Sequence, residues 1–310
     1  MSLALVLVAL ALLLPWAAAP AARRLAALLP PREASFTLAG AAVLLAGGTV
    51  AALAGLFHVP FLAGLEQAPL SRVLARWPAV APVSCAAGTL LLVQAVRLTL
   101  RWRKHRALLA RTWDLVGDAT GEGDLLVVAD REPEAFALPA HRGRPGRVVV
   151  SAAMLAALEP TERAVLLAHE RAHLRGRHHL LATTADLAAV VHPALDRLRA
   201  DLDYHLERWA DERAAHAVAD RRTAATAIAR AALAGSSPAR PTPGPLLSVN
   251  SGPVPRRVRA LLGPEPARPT GHRAGTALAL LTAVATAALL GVALAYGLHE
   301  YVEHAARALR

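Results

Sequence analysis

Long apolar runs separated by short basic connections dominate the pattern of this chain. Four runs, at about 2–22, 34–57, 78–96 and 274–298, match the roughly 20 residues that a bilayer-crossing helix needs. Between the third and fourth, the pattern changes to mixed polar and apolar positions over a stretch long enough for a core of its own. Within it, 101–115 reads as a basic helix. Short β-branched or apolar runs at 124–129, 135–138 and 147–151, punctuated by Gly and Pro, read as three strands of a small sheet. Helical spacing returns at 161–176 and 204–215. The apolar segment 180–195 between them is short for a span, and is expected to pack on the domain or on the membrane surface. Residues 235–271 are rich in Pro, Gly and Ser and read as a linker carrying one short basic helix, 255–262, suited to an anionic leaflet.

The resulting division is three membrane helices in 1–100 and a folded domain at 101–234. A linker at 235–273, a fourth span at 274–298 and a short tail at 299–310 complete it. The fold class expected is a mainly α membrane protein with four transmembrane helices and an α+β domain containing a small sheet.

Composition sharpens this picture. The chain is 55% hydrophobic, has a mean hydropathy of +0.38 and carries a formal net charge of +11. Such basicity can signal nucleic acid, but here the cations flank apolar runs and no basic stripe is interleaved with aromatics, so no direct nucleic-acid partner is expected. The cationic cluster after the third run (Arg97, Arg101, Arg103, Lys104, Arg106, Arg111) orients the chain by the positive-inside rule. The domain is then cytoplasmic, both termini lie outside, and the protein is a multi-pass protein of the cell membrane. The first run lacks the cationic start of a signal peptide, and cleavage after Ala17-Ala18-Ala19 would invert this orientation, so it is expected to remain as a span. Cys85 is the only cysteine, which excludes a disulfide framework and a thiolate metal site.

The chemistry concentrates at His169, Glu170 and His173, a His-Glu-x-x-His motif within good helix formers. By chance alone it is expected about 0.02 times in a chain of this composition. Positions four apart share a helix face, so both imidazoles can reach one Zn²⁺, while Glu170 sits where it can take a proton from the metal's water. Thr161 is a candidate N-cap and Gly176 a candidate stop. A catalytic zinc needs a third ligand, and Glu207 and Asp211 recur four apart downstream. They suit a ligand and an acceptor for a ligand histidine's other nitrogen. By spacing, His205, Glu212 and His216 are rival ligands. His178 and His179 read as solvated surface imidazoles.

Glu-x-x-x-Asp following His-Glu-x-x-His resembles the BlaR/MecR-type membrane zinc metallopeptidases, related to the HtpX and CAAX prenyl-protease groups. Arg147–Ser151, 155–158 and 164–176 resemble that family's approach to its zinc helix, and Val191-His192-Pro193 resembles its Trp-Phe-x-Pro step without the aromatics. The resemblance spans roughly residues 124–233. It implies a zincin-like domain holding one Zn²⁺ per chain, with His169, His173 and Glu207 as ligands, Glu170 as base and Asp211 orienting a ligand histidine. It also implies an edge strand that holds an extended peptide. The activity expected is endoproteolysis of a cytoplasmic or membrane-associated protein. A transcriptional repressor in a signalling pathway fits, with a separate sensor protein as partner, since the tail is expected to carry no sensor domain. An HtpX-like quality-control protease and a non-catalytic zinc-binding scaffold are the alternatives.

Overall fold

The computed structural model describes residues 2–65, 71, 75, 78–117, 123–235 and 253–307. Much of the expected second connection, residues 236–252 of the linker and residues 308–310 lie outside them. The described chain is mainly helical with one small sheet. Its elements are α1 (Ser2–Leu28), α2 (Pro31–Leu65), α3 (Val80–Leu115), β1 (Leu125–Val128), β2 (Ala135–Leu138), β3 (Arg147–Ser151) and α4 (Ala152–Ala157). After these come α5 (Pro160–Arg175), α6 (His178–Val191), a 3₁₀ turn (Pro193–Leu195), α7 (Asp196–Val218), α8 (Arg221–Ala234), α9 (Val254–Leu262) and α10 (Gly271–Arg307).

Two helices among the described residues are long and apolar enough to cross a membrane: Pro31–Phe61 of α2, and α3. The third apolar run and the basic helix expected at 101–115 are one uninterrupted helix, α3. Helices α1, α2 and α10 pack on one another, and α3 packs on α2. Helix α6 does not lie on a surface. Its Ala182, Ala185, Ala188 and Val191 face is buried in the same core as α2 and the first half of α7. Polar contacts hold it there: Gln94 Nε2 donates to the Val191 carbonyl at 3.0 Å, and Arg101 donates two hydrogen bonds to Asp186, at 2.6 and 2.7 Å.

The sheet has the order β1-β3-β2, with β1 parallel and β2 antiparallel to the central strand. Val148, Val149 and Val150 of β3 are almost wholly buried, because a central strand covered on both faces reads as a continuous β-branched run. Burial of such side chains is worth about 1.5–3 kcal/mol each before ordering costs. Ser151 ends the strand and caps α4, its Oγ accepting from Met154 N at 3.0 Å and from Glu134 N at 2.9 Å. Helices α5 and α8 pack over this sheet region, and α5 lies against the edge strand β2.

Candidate metal centre

Helix α5 is capped two residues before the expected Thr161. Glu159 is the N-cap, in a capping box with Glu162, and Pro160 takes the first helical position, where its missing N–H costs nothing. The helix carries His169, Glu170 and His173 to its middle and end. Helix α7 packs against it and presents Glu207 and Asp211. All five side chains are at most 2% exposed.

Two imidazole nitrogens and a carboxylate converge between the helices. His169 Nε2 and His173 Nε2 are 3.1 Å apart, and each lies 3.5 Å from a Glu207 oxygen. One ligand atom from each of the three residues falls within 4.8 Å of the others. Two facing ring nitrogens cannot both present lone pairs without a cation or proton between them. Burial opposes charge on His169, but Asp211 and Glu207 overcome it and raise this imidazole to about 9. His173 is driven the other way by burial and by His169, His178 and Arg257. The cluster is built to hold positive charge at one place. Two imidazoles and a carboxylate are the donor set of a zinc-type site, so the residues fit such an ion.

The outer nitrogens are also fixed. His169 Nδ1 is 3.1 Å from Asp211 Oδ1, so an Nδ1–H donated there turns the Nε2 lone pair inward. Burial alone would raise Asp211, but the Arg257 guanidinium holds it at about 2, as an acceptor. His173 Nδ1 is 2.7 Å from His178 Nδ1. With His173 donating and His178 accepting, His173 Nε2 also faces the cluster.

His178 is therefore not a solvated surface imidazole. It is fully buried, lies 4.4 Å (ring centroids) from Trp209, and burial lowers it to about 3, keeping it neutral. Local backbone puts it there. Arg177 has φ 50°, an uncommon left-handed conformation, so α6 turns back at once under α5. Gly176 leaves the room: a Cβ there would collide with the His178 ring. His179 is only partly buried.

Sequence reasoning also missed Arg257. It is 0% exposed and forks onto Asp211 at 2.8 and 2.6 Å, with Nη1 2.7 Å from Glu207. The short basic helix, α9, packs on α7 and α8. A signal existed: Val254, Val258 and Leu261 form one helical face, and Arg257 falls on it, whereas Arg256 and Arg259 do not. The rival ligands lie elsewhere. Glu212 pairs with Arg208 and Arg221, exposed His216 is 2.9 Å from Glu265, and the His205 ring packs on Tyr204.

Residues 116–196 match the sequence model of peptidase family M48. That segment is similar to the M48 metallopeptidases. The match takes in the sheet, α5 and α6 and ends at the first residue of α7, so Glu207, Asp211 and Arg257 join the site through the fold alone. No curated protein and no solved structure matches the chain significantly.

Proposed function

We propose that this M48-type chain is a membrane-anchored, zinc-dependent endopeptidase, with His169, His173 and Glu207 as ligands and Glu170 as general base. The observation that carries it is the buried convergence of those three ligand residues within 4.8 Å, two of them inside the M48-matched segment. A zinc ion held there supplies a Lewis acid and lowers a bound water's pKa towards 7. The protein's own groups do the rest. Glu170, beside His169 on the same helix, accepts a proton from the attacking water and returns it to the leaving amine. Asp211 and His178 hold the two imidazoles in the tautomer that points Nε2 inward, and Arg257 balances the two buried carboxylates.

Four spans with the domain on the cytoplasmic side complete the proposal. Contacts of the α1 and α2 ends near their turn with the domain and the linker support a common side for them: Arg23 meets Asp201 at 2.5 Å and Glu33 meets Arg268 at 2.7 Å. The substrate proposed is a cytoplasmic or membrane-associated protein, a transcriptional repressor among the options, lying along an edge strand of the sheet.

A second reading, a zinc that only ties α5 to α7, draws on the complete burial of the ligand set. Zinc content and proteolysis of purified wild type, Glu170→Gln and Glu207→Ala separate the two. Wild type and the Gln variant should each hold about one zinc, only wild type should cleave, and Glu207→Ala should lose metal. A Gln variant that cleaves at the wild-type rate removes the mechanism, and a metal-free wild type removes the site.

A further inference from the structure

Away from the metal ligands, α5 and α7 wall a cavity of about 610 Å³. Arg32, Arg175, Arg213 and His216 line it beside the rings of Phe36 and Trp209, and no Asp or Glu does. His216 is engaged by Glu265, and Arg175 lies near enough to Asp124 to help lower that carboxyl. Arg32 and Arg213 make no ion pair with any described residue. Arg32 instead sits over the Trp209 ring, 5.8 Å from its centroid.

Guanidiniums gathered around one concavity without a carboxylate make a field that favours an anion, and their planar forks suit phosphate oxygens. The place in the fold narrows the anion further. Arg32 lies at the turn between two long apolar helices, and Phe36, one helical turn along α2, is 50% exposed. The cavity thus sets guanidiniums beside aromatic rings at the level of the turn between α1 and α2. Basic pockets at that level hold lipid headgroups, and aromatic rings favour the same interface. The volume exceeds what a lone phosphate ion fills.

We propose that this cavity is a phosphate-binding site that seats an anionic phospholipid headgroup and so fixes the domain against the leaflet. The phosphate chemistry follows from the cavity itself. The lipid source rests on the membrane reading above, and neither depends on proteolysis.

The test uses the full chain in neutral detergent and reads the thermal midpoint with dihexanoyl phosphatidylglycerol, dihexanoyl phosphatidylcholine or inorganic phosphate. Phosphatidylglycerol should raise the wild-type midpoint by roughly 2–6 °C, with little response to phosphatidylcholine. Arg32→Gln and Arg213→Gln should lose most of that rise while keeping the unliganded midpoint. Arg222→Gln, an equal charge change outside the cavity, should keep it. An equal rise with inorganic phosphate assigns the site to a free phosphate group and removes the lipid. The proposal is overturned if no phosphate compound shifts the midpoint, if the cavity variants respond as wild type does, or if Arg222→Gln loses the response equally.

Discussion

The two faces of the α5–α7 pair treat ionisable side chains in opposite ways. On the inner face, His169, Glu170, His173, Glu207 and Asp211 are buried, and Arg257 is brought in from α9 to meet the carboxylates. On the outer face, the Arg175 and Arg213 side chains are exposed around the cavity. Buried charge must be matched within a few ångströms, because desolvation is costly. Exposed charge needs no partner and remains available to a ligand. The difference teaches that along these helices burial, more than residue type, decides which charges are fixed and which stay free to bind.

The contrast predicts unequal costs of substitution. Arg257→Met should be the most damaging, since it leaves the Asp211 and Glu207 carboxylates buried without their cation. A loss of about 3–5 kcal/mol, or failure to accumulate folded protein, is expected, and chemical denaturation measures it. Lys should not rescue, lacking the fork that meets both carboxylates. If Arg257→Met melts like wild type, the pairing that defines the inner face is wrong.

His178→Ala should lower zinc affinity by about 10–100-fold through His173's lost partner, read by competition with a chelator. Unchanged affinity would return His178 to a packing role.

Asp203 lies one helical turn before Glu207 on α7. Burial lifts its carboxyl to about 6, with nearby Glu207, Asp186 and Asp196 adding to the rise against Arg199. The folded chain thus holds this proton more tightly than the unfolded chain, whose value is near 3.8. Stability from this group is greatest below pH 4 and falls as pH rises from about 4 to 6. Asp203→Asn should therefore stabilise by about 1–3 kcal/mol at pH 7–8, with the gain vanishing below pH 4 in a pH series of melts.

Arg213→Gln should be the mildest, within about 0.5 kcal/mol of wild type without added ligand. A cost above 2 kcal/mol would show that the outer face is paired after all.

Strands at 135–138 and 147–151 and the helix bearing His169, Glu170 and His173 were legible in the sequence. Periodicity and turn residues are local, and the motif's spacing maps directly onto one helix face. Glu207 and Asp211 were legible only as candidates among His205, Glu212 and His216. Several acids and imidazoles share that helix, and only packing against α5 selects a face. His178 was misread because a His-His pair beside arginines is polar in sequence, whereas the left-handed turn at Arg177 folds it under His173. Arg257 escaped because it lies beyond a Pro/Gly-rich stretch, where a basic helix reads as surface.

The sequence by itself determined the apolar runs, the small sheet and which residues could bind a metal, because these depend on side-chain type and short-range spacing. Tertiary structure decided the rest. It made α6 a buried helix, closed the site with Arg257 and separated paired from unpaired charge on one pair of helices. Those outcomes depend on which groups lose water together, and that is fixed only when elements distant in the chain pack.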